Sequence, residues 1–129
     1  MKWMIDRPLP LNPDLRDKRR YLAYQVLSKS KLDQVDIHNA VWHGLLNFLG
    51  EHGSAECEAG VVKTVWDEAK QQGLVRCNHT SVERVRTALA LMQRISDVPV
   101  LVRVLGVSGT VKAAQRKYFG ERDLATFVQ

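Results

Sequence analysis

The chain has 129 residues and a mass of 14.7 kDa, with 45% hydrophobic and 26% charged residues. This length fits one ordinary domain and argues against a multidomain enzyme, and the near-average composition argues against disordered or collagen-like classes. No apolar run approaches the ~20 residues that span a bilayer, and the first ten residues lack the apolar core of a signal peptide. We therefore expect a soluble, cytoplasmic protein.

Basic residues outnumber acidic residues by 19 to 14, and the two signs are sorted along the chain. Residues 1–31 carry eight basic and three acidic side chains, whereas residues 32–68 carry one basic and seven acidic side chains. The rest of the chain is again net basic. This sorting predicts one face for phosphate and another for a different partner, although the charges could instead only keep the domain soluble.

The first predicted elements follow an extended, proline-containing arm over residues 1–17. Residues 19–27 are rich in aromatic and aliphatic side chains and predict a first strand. A helix follows, with Asp33 as its cap and Gly50 and Gly53 as its C-terminal stop. Its buried stripe is predicted to contain Ile37, Val41, Trp42, Leu45, Leu46, Phe48 and Leu49.

A β-hairpin is predicted next, with strands over residues 55–66 and 74–78. A turn centred near Gln71 would place Cys77 opposite Val65 and far from Cys57. We therefore expect two buried, reduced thiols. Together with His52 and His79 these cysteines lack the paired spacing of zinc ligands, so neither a metal site nor a disulfide is expected.

A second helix is predicted to begin at a capping box formed by Thr80 and Glu83. Its stripe is predicted to contain Val82, Val85, Ala88, Leu89, Leu91, Met92 and Ile95. Residues 98–107 predict a central strand whose Arg103 faces water. A basic third helix then opens at residues 108–110 and runs to about Phe119, where Gly120 stops it.

The predicted order β-α-β-β-α-β, followed by a helix, is the split β-α-β pattern of ferredoxin-like and RNA-recognition folds. We expect a single α/β (α+β) domain over residues 18–120, with an antiparallel sheet, two helices on one face, and a C-terminal tail over residues 121–129. The third helix should partly cover the open sheet face over Leu101, Leu105 and Trp66.

No catalytic motif is present: the chain lacks G-x-S-x-G, H-E-x-x-H, P-loop and G-x-G-x-x-G patterns. His38 and His43 are five residues apart on a helix and point roughly 140° apart, so they cannot share a ligand. We therefore predict that this chain contains no catalytic residue.

Phosphate binding is better supported by two basic segments. Arg16, Lys18, Arg19 and Arg20 cluster at the entry to the first strand, where cationic side chains can reach a nucleic-acid backbone. The N-terminus of the third helix offers free N–H groups to an anion. Hydroxyl and cationic side chains accompany it, namely Ser108, Thr110, Lys112, Arg116 and Lys117.

The strand over residues 74–78 has none of the aromatic side chains on which an RNA-recognition domain stacks bases. Sequence-specific readout of a single strand is therefore not expected. The acidic segment over residues 33–68, with Trp42 and Trp66, is better suited to a protein neighbour, although core packing is the favoured interpretation of Trp42.

Four segments in order resemble one family, and they cover residues 16–21, 50–55, 75–79 and 102–112. Over about residues 13–119 the sequence resembles archaeal ribonuclease P protein component two. This archaeal and eukaryotic family comprises small subunits of the ribonucleoprotein that removes the 5′ leader from precursor tRNA. The resemblance implies an α/β sandwich related to the RNA-recognition fold.

The resemblance also implies a noncatalytic role within an endonuclease that is a hydrolase. The catalytic centre and its Mg²⁺ ions would belong to the ribonuclease P RNA, and this chain would bind no cofactor. Component three would act with this chain to support the RNA, and precursor tRNA would be present in the holoenzyme. The chain could also associate with itself. No membrane partner is expected. The matching motifs add Arg76 to the residues expected to contact RNA.

One alternative from another class remains. On the same fold, the chain could be a small-molecule regulatory or dimerisation domain that associates through its sheet edge. Such a domain predicts a ligand pocket and behaviour insensitive to salt, whereas an RNA-binding subunit predicts an affinity that falls steeply with salt.

Overall fold

The computed structural model describes residues 18–119. The arm over residues 1–17, with Arg16, and the segment from Gly120 through the tail lie outside the described residues. The described residues form five strands and three helices. In chain order they are β1 (Arg19–Ser28), α1 (Gln34–Cys57), β2 (Gly60–Asp67), β3 (Gln72–Asn78), α2 (Val82–Ala90), β4 (Arg94–Ile95), β5 (Val98–Ser108) and α3 (Val111–Tyr118).

The strands form one sheet in the order β2-β3-β1-β5-β4, and every neighbouring pair is antiparallel. Apart from the two-residue β4, this is the predicted β-α-β-β-α-β arrangement, so the ferredoxin-like, RRM-like fold class is confirmed. β5 pairs with β1 along most of its length but with β4 at only two positions. It is therefore not the central strand that the sequence predicts, because β1 and β3 occupy the centre.

The two faces of the sheet carry separate hydrophobic clusters. The large core lies under α1 and α2 and includes Leu22, Tyr24, Ile37, Val41, Leu45, Val75, Val85, Leu89 and Val102. The small core lies under α3 and consists of Ala23, Val65, Leu74, Ala114 and Phe119. Alternation along β1 explains the division, since successive side chains of a strand point to opposite faces.

The third helix covers the open face only in part. Leu105 packs against the small core, as predicted, but Leu101 remains 58% exposed. Arg103 also faces solvent and donates two hydrogen bonds to Gln25 Oε1, at 3.1 and 2.8 Å. Trp66 lies on the other face, where it packs on the large core with its ring edge-on to His38.

Gly50 interrupts the first helix, as predicted, but Gly53 does not end it. Gly50 has the non-helical angles φ 78° and ψ 170°, and a second helical segment follows and runs to Cys57. The residues after the kink are held by packing, since Gly53, Ser54 and Cys57 are buried. The strand predicted from residue 55 therefore begins only at Gly60. Asp33 occupies the N-cap position, but its side chain makes no capping hydrogen bond.

The predicted hairpin is present with a different register. Gly60 pairs with Arg76, and after an irregularity over residues 63–65, Trp66 pairs with Gly73. Cys77 therefore does not face Val65. Cys77 and Cys57 are both buried and free, as expected of reduced thiols. Burial raises the pKa of the Cys77 thiol to about 11, with a smaller contribution from Cys57 and an opposing one from Arg20.

The second helix is shorter than predicted and lacks the capping box. Ser81, not Thr80, is at the N-cap, without a side-chain capping bond, and the Thr80 hydroxyl instead donates to Asn78 Oδ1 at 3.2 Å. The helix ends at Ala90 because the chain turns into β4, where Ile95 is buried as a strand residue. Val85, Ala88 and Leu89 are buried as predicted.

A β-bulge interrupts the pairing of β5 with β1. Ala23 pairs with Gly106, but the next residue of β1, Tyr24, pairs with Val104, so Leu105 is the additional residue. Val104 before the bulge and Val107 after it both pack against the large core. Gly106 faces α3, because a Cβ on this residue would collide with the ring and hydroxyl of Tyr118.

Candidate nucleic-acid interface

Three basic segments meet at one end of the sheet. β1 starts where its antiparallel neighbours β3 and β5 end, so Tyr21 pairs with Arg76 on one side and with Ser108 on the other. Because adjacent strands are about 4.8 Å apart, the backbones of Arg76 and Ser108 lie about 10 Å apart across β1. The His79 amide also donates to the Lys18 carbonyl oxygen at 2.7 Å, which fixes the chain just before β1.

We call this region the basic end, defined as Lys18, Arg19, Arg20, Arg76, Thr110 and Lys112. Lys18, Arg19, Thr110 and Lys112 are exposed, whereas Arg20 and Arg76 are half-buried. The structure thus brings together residues that the sequence separates by up to 94 positions. Arg16, the remaining member of the predicted N-terminal cluster, lies outside the described residues.

Among the described residues, no carboxylate pairs with the cations of this region. Between residues 18 and 119, no ion pair involves Lys18, Arg19, Arg20, Arg76 or Lys112. The Arg20 guanidinium donates only to the Arg19 carbonyl oxygen, at 2.9 Å. Their positive charge is therefore available to an external anion such as a phosphate.

The third helix extends the positive surface. Thr110 is its N-cap, and the Thr110 Oγ1 accepts a hydrogen bond from the Ala113 amide at 3.0 Å. Lys112 and Arg116 are one turn apart and, with Lys117, are exposed. Ala114 faces inward and anchors the helix on the small core.

Ser108 is not the cap of this helix. It ends β5, is only 4% exposed, and its hydroxyl has no hydrogen-bond partner among the described residues. The sequence S-G-T offers two hydroxyl residues at the turn, and pairing of Ser108 with Tyr21 buries the first of them. Of the two, Thr110 is therefore the hydroxyl residue that lies at the surface.

A groove borders the basic end on the side of α1. It has a volume of about 480 Å³ and is lined by Arg19, Trp42, Leu46, Glu51, Ser54, Ala55, Glu58, Ala59 and Arg76. We call it the Trp42 groove. Trp42 was predicted to be a core residue, but it is 36% exposed. Its position on the helix explains this exposure, because Trp42 follows the buried Val41 and lies about 100° away from it around the helix axis.

A second exposed apolar region lies between α1 and α2. Phe48 is 45% exposed and Leu91 is 58% exposed, and both line a shallow groove of about 330 Å³ with Gly44, Asn47, Ala88 and Met92. We call this region the Phe48 patch. The sequence predicted both side chains as part of buried stripes, which the structure does not bear out.

The described part of the chain offers neither a metal site nor a membrane-spanning helix. From residue 18 to residue 119, no group of three or more His, Cys, Asp or Glu side chains is arranged to hold a metal ion. Over that range, too, no helix has the length and apolar character that a membrane span requires. Burial, followed by the charge of Lys63, lowers the pKa of His38, whose Nε2 has no hydrogen-bond partner among residues 18–119.

Comparisons with known proteins agree on one family. The model of the Rpp14/Pop5 family matches residues 20–119. Ribonuclease P protein component 2 of Pyrococcus furiosus is 38% identical over 118 residues, which cover 92% of this chain and 97% of that protein. The Thermococcus kodakarensis protein of the same name is 41% identical over the same shares. The Methanosarcina mazei protein is 36% identical over 84% of this chain and 90% of its own.

One solved structure supports the fold. A chain in the cryo-EM structure of yeast ribonuclease MRP aligns with a TM-score of 0.57 and 14% identity, over 88% of this chain and 98% of its own length. The family model and the archaeal relatives together bear out the resemblance that the four sequence motifs predict. The chain therefore belongs to the Rpp14/Pop5 family, the family of ribonuclease P protein component 2.

Proposed function

We propose that this chain is a noncatalytic protein subunit of ribonuclease P that binds and supports the catalytic RNA together with component three. One observation carries the proposal: the start of β1 lies beside the ends of β3 and β5, which brings their basic residues together at the basic end. Cations at this end have no carboxylate partner in the described residues, which is what a phosphate-contacting surface needs.

The basic end would act on RNA mainly through its backbone. Lysine and arginine side chains that neutralise phosphates release condensed counterions, and this makes affinity depend strongly on salt. Contacts of this kind fix the orientation of a protein on a nucleic acid without reading its sequence. The N-terminus of α3 adds free N–H groups and a favourable dipole beside Lys112.

Chemistry in the holoenzyme would belong to the RNA and its Mg²⁺ ions. The chain itself offers no cluster of metal ligands within residues 18–119, and the sequence contains no catalytic motif. The proposed role in the cytoplasm is therefore to hold the RNA in the conformation that cleaves precursor tRNA at low Mg²⁺, by offsetting the repulsion between phosphates.

The Phe48 patch is the surface that we assign to component three. Exposed Phe48 and Leu91 line the same shallow groove, together with Ala88 and Met92. An exposed apolar area of this kind fits the apolar centre of a protein–protein interface. It lies on the helical layer, away from the small core and α3.

Reconstitution tests the function directly. Cleavage of precursor tRNA would be measured at low Mg²⁺ with a cognate RNA subunit and component three, with and without this chain. We expect a large gain in rate that requires both proteins and disappears without the RNA. No gain, in a mixture whose other parts are shown to be active, would contradict the proposal and favour the small-molecule regulatory alternative.

The α3 contribution can be isolated with the double substitution Lys112→Ala and Arg116→Ala. We expect RNA affinity to fall by about 1 to 3 kcal/mol, with a weaker dependence of affinity on salt, because two phosphate contacts are lost. The melting temperature should not change, since both side chains are exposed. Unchanged affinity would remove α3 from the RNA surface. Leu101→Ala, at the opposite end of the sheet, is the matched control.

A further inference from the structure

The Trp42 groove combines an aromatic side chain with an apolar floor. Trp42 is partly exposed, and Leu46, Ala55 and Ala59 supply apolar surface beside it. The volume of about 480 Å³ is within the ~300–1,000 Å³ range of small-ligand sites. A planar ligand could therefore lie against the indole ring while its edge meets the rim of the groove.

The rim carries four charged side chains that do not pair with one another. Arg19 and Arg76 line the groove together with Glu51 and Glu58, yet none of the four forms an ion pair within residues 18–119. The Arg76 guanidinium lies against Gly60, where a Cβ would come within 3.1 Å of its Cζ. Ser54, in the wall, is buried with a hydroxyl that has no described partner. The groove thus offers both donors and acceptors that are not in use.

This charge pattern favours a nucleobase over a phosphate. Two carboxylates lie beside the two guanidinium groups on the rim, so the groove itself attracts a phosphate less strongly than the exposed Lys18 and Lys112 of the basic end do. A base edge instead presents donors and acceptors side by side. Guanine fits best, since its adjacent O6 and N7 acceptors match an arginine fork, and the N–H groups of its other edge match a carboxylate.

We propose that the Trp42 groove binds one unpaired guanine of the RNA, stacked on Trp42 and held by the arginine and glutamate side chains of the rim. This inference rests on the proposed function, because Arg19 and Arg76 belong both to the groove and to the basic end. The sequence does not predict recognition of bases on the sheet, because β3 has no aromatic residues. The groove supplies the aromatic ring from α1 instead.

Short RNAs test the proposal with the full-length chain. The probes are an eight-nucleotide uridine RNA and three versions with a single internal G, A or C, with binding followed by fluorescence anisotropy. We expect the G-containing RNA to bind roughly tenfold more tightly than the all-U RNA, since polar base contacts of this kind discriminate by about that factor or more. The A- and C-containing RNAs should stay close to all-U.

Two variants test whether the preference for guanine arises in the Trp42 groove. Trp42→Leu should weaken binding of the G-containing RNA by roughly 5- to 100-fold, the range for loss of one stacked base. The double substitution Glu51→Gln and Glu58→Gln should abolish the preference for guanine without weakening all-U binding, because it removes only negative charge. Leu101→Ala should change neither value. The Glu variants are on the surface, so they remain informative if Trp42→Leu fails to fold.

The possible failures can be told apart. Equal binding of all four RNAs, with normal dependence on salt, would overturn the guanine site and leave the proposed function standing. Affinity for none of the RNAs would overturn both. If Trp42→Leu spares RNA binding but abolishes binding to component three, the groove belongs to the protein partner and the proposal is wrong.

Discussion

Within residues 18–119, α1 and α2 cover a core of fourteen buried residues on one face of the sheet, whereas α3 covers five on the other face. The large core contains the long aliphatic side chains, such as Leu22, Leu45 and Leu89, whose burial dominates folding free energy. The small core includes two alanines, Ala23 and Ala114, which let α3 approach the sheet closely. The difference shows that most of the buried core lies on one face, whereas α3 and its cations Lys112, Arg116 and Lys117 lie on the other.

This division makes α3 the more easily displaced element. α3 has eight residues, which is too short for a helix to be stable on its own in water, so its position depends on the small core and its cap. Substitutions on the large face should therefore unfold the whole domain. Substitutions on the small face should loosen α3 and the basic end first.

The largest effect is expected in the large core. Leu89→Ala removes a fully buried side chain of α2 and should lower the free energy of unfolding by about 2 to 5 kcal/mol, as measured by urea denaturation. The loss combines the missing apolar contacts with the cavity left behind. A loss below about 1 kcal/mol would show that the large face is not the main source of stability.

Gly106→Ala tests the contact between α3 and the sheet. The added Cβ would collide with the Tyr118 ring, so α3 must shift, at a cost of about 1 to 3 kcal/mol typical of overpacking. RNA affinity should fall in parallel. In a chain that already carries Tyr118→Ala, the added Gly106→Ala should cost much less stability, because the ring that it would collide with is absent. If it does not, the collision is not the cause.

Thr110→Ala and Ser108→Ala form a matched pair at the start of α3. Thr110→Ala should destabilise by about 0.5 to 2 kcal/mol through loss of the capping bond to the Ala113 amide. Ser108→Ala should have a smaller effect, because the buried hydroxyl makes no described hydrogen bond that could be lost. Urea denaturation of both variants measures the difference. The reverse order would contradict the assignment of the cap.

The smallest expected effect is the change of folding stability with pH that His38 causes on the large face. Burial lowers the pKa of His38, so the unfolded chain binds a proton more readily than the folded chain as pH falls below about 6.5. His38 should therefore reduce stability on acidification, by less than about 1.4 kcal/mol per pH unit, the limit for one proton. His38→Phe should flatten the profile between pH 7.5 and 5.5.

Periodicity predicted the order of elements and most of the core correctly. The limits of β1, β5 and α3 follow from local patterns and agree with the structure within a few residues. The errors arise where distant contacts decide. Gly50 does interrupt the first helix, but a second helical segment, with Gly53 and Cys57 buried, follows it where the sequence predicts a strand. The irregularity at residues 63–65 shifts the hairpin register, and no composition signal marks it.

The basic end could be predicted only in part. The charges of Lys18, Arg19 and Arg20 are evident in the sequence, and the motif match added Arg76, but their meeting with Thr110 and Lys112 depends on antiparallel pairing across β1. The Trp42 groove was missed because a tryptophan in an apolar helix is usually buried. Which way that residue faces is set by the angle at which α1 packs on the sheet.

The β-bulge at Leu105 determines which face of the sheet each later side chain of β5 points to. Side chains of a strand alternate, so one additional residue reverses the face assigned to every later position. Without it, Gly106 would point into the large core and Val107 would meet Tyr118, and α3 would leave β5 from the wrong side of the sheet. Length changes in this family should therefore be far less tolerated between Arg103 and Ser108 than in the β2–β3 turn, where an inserted residue alters no side-chain orientation.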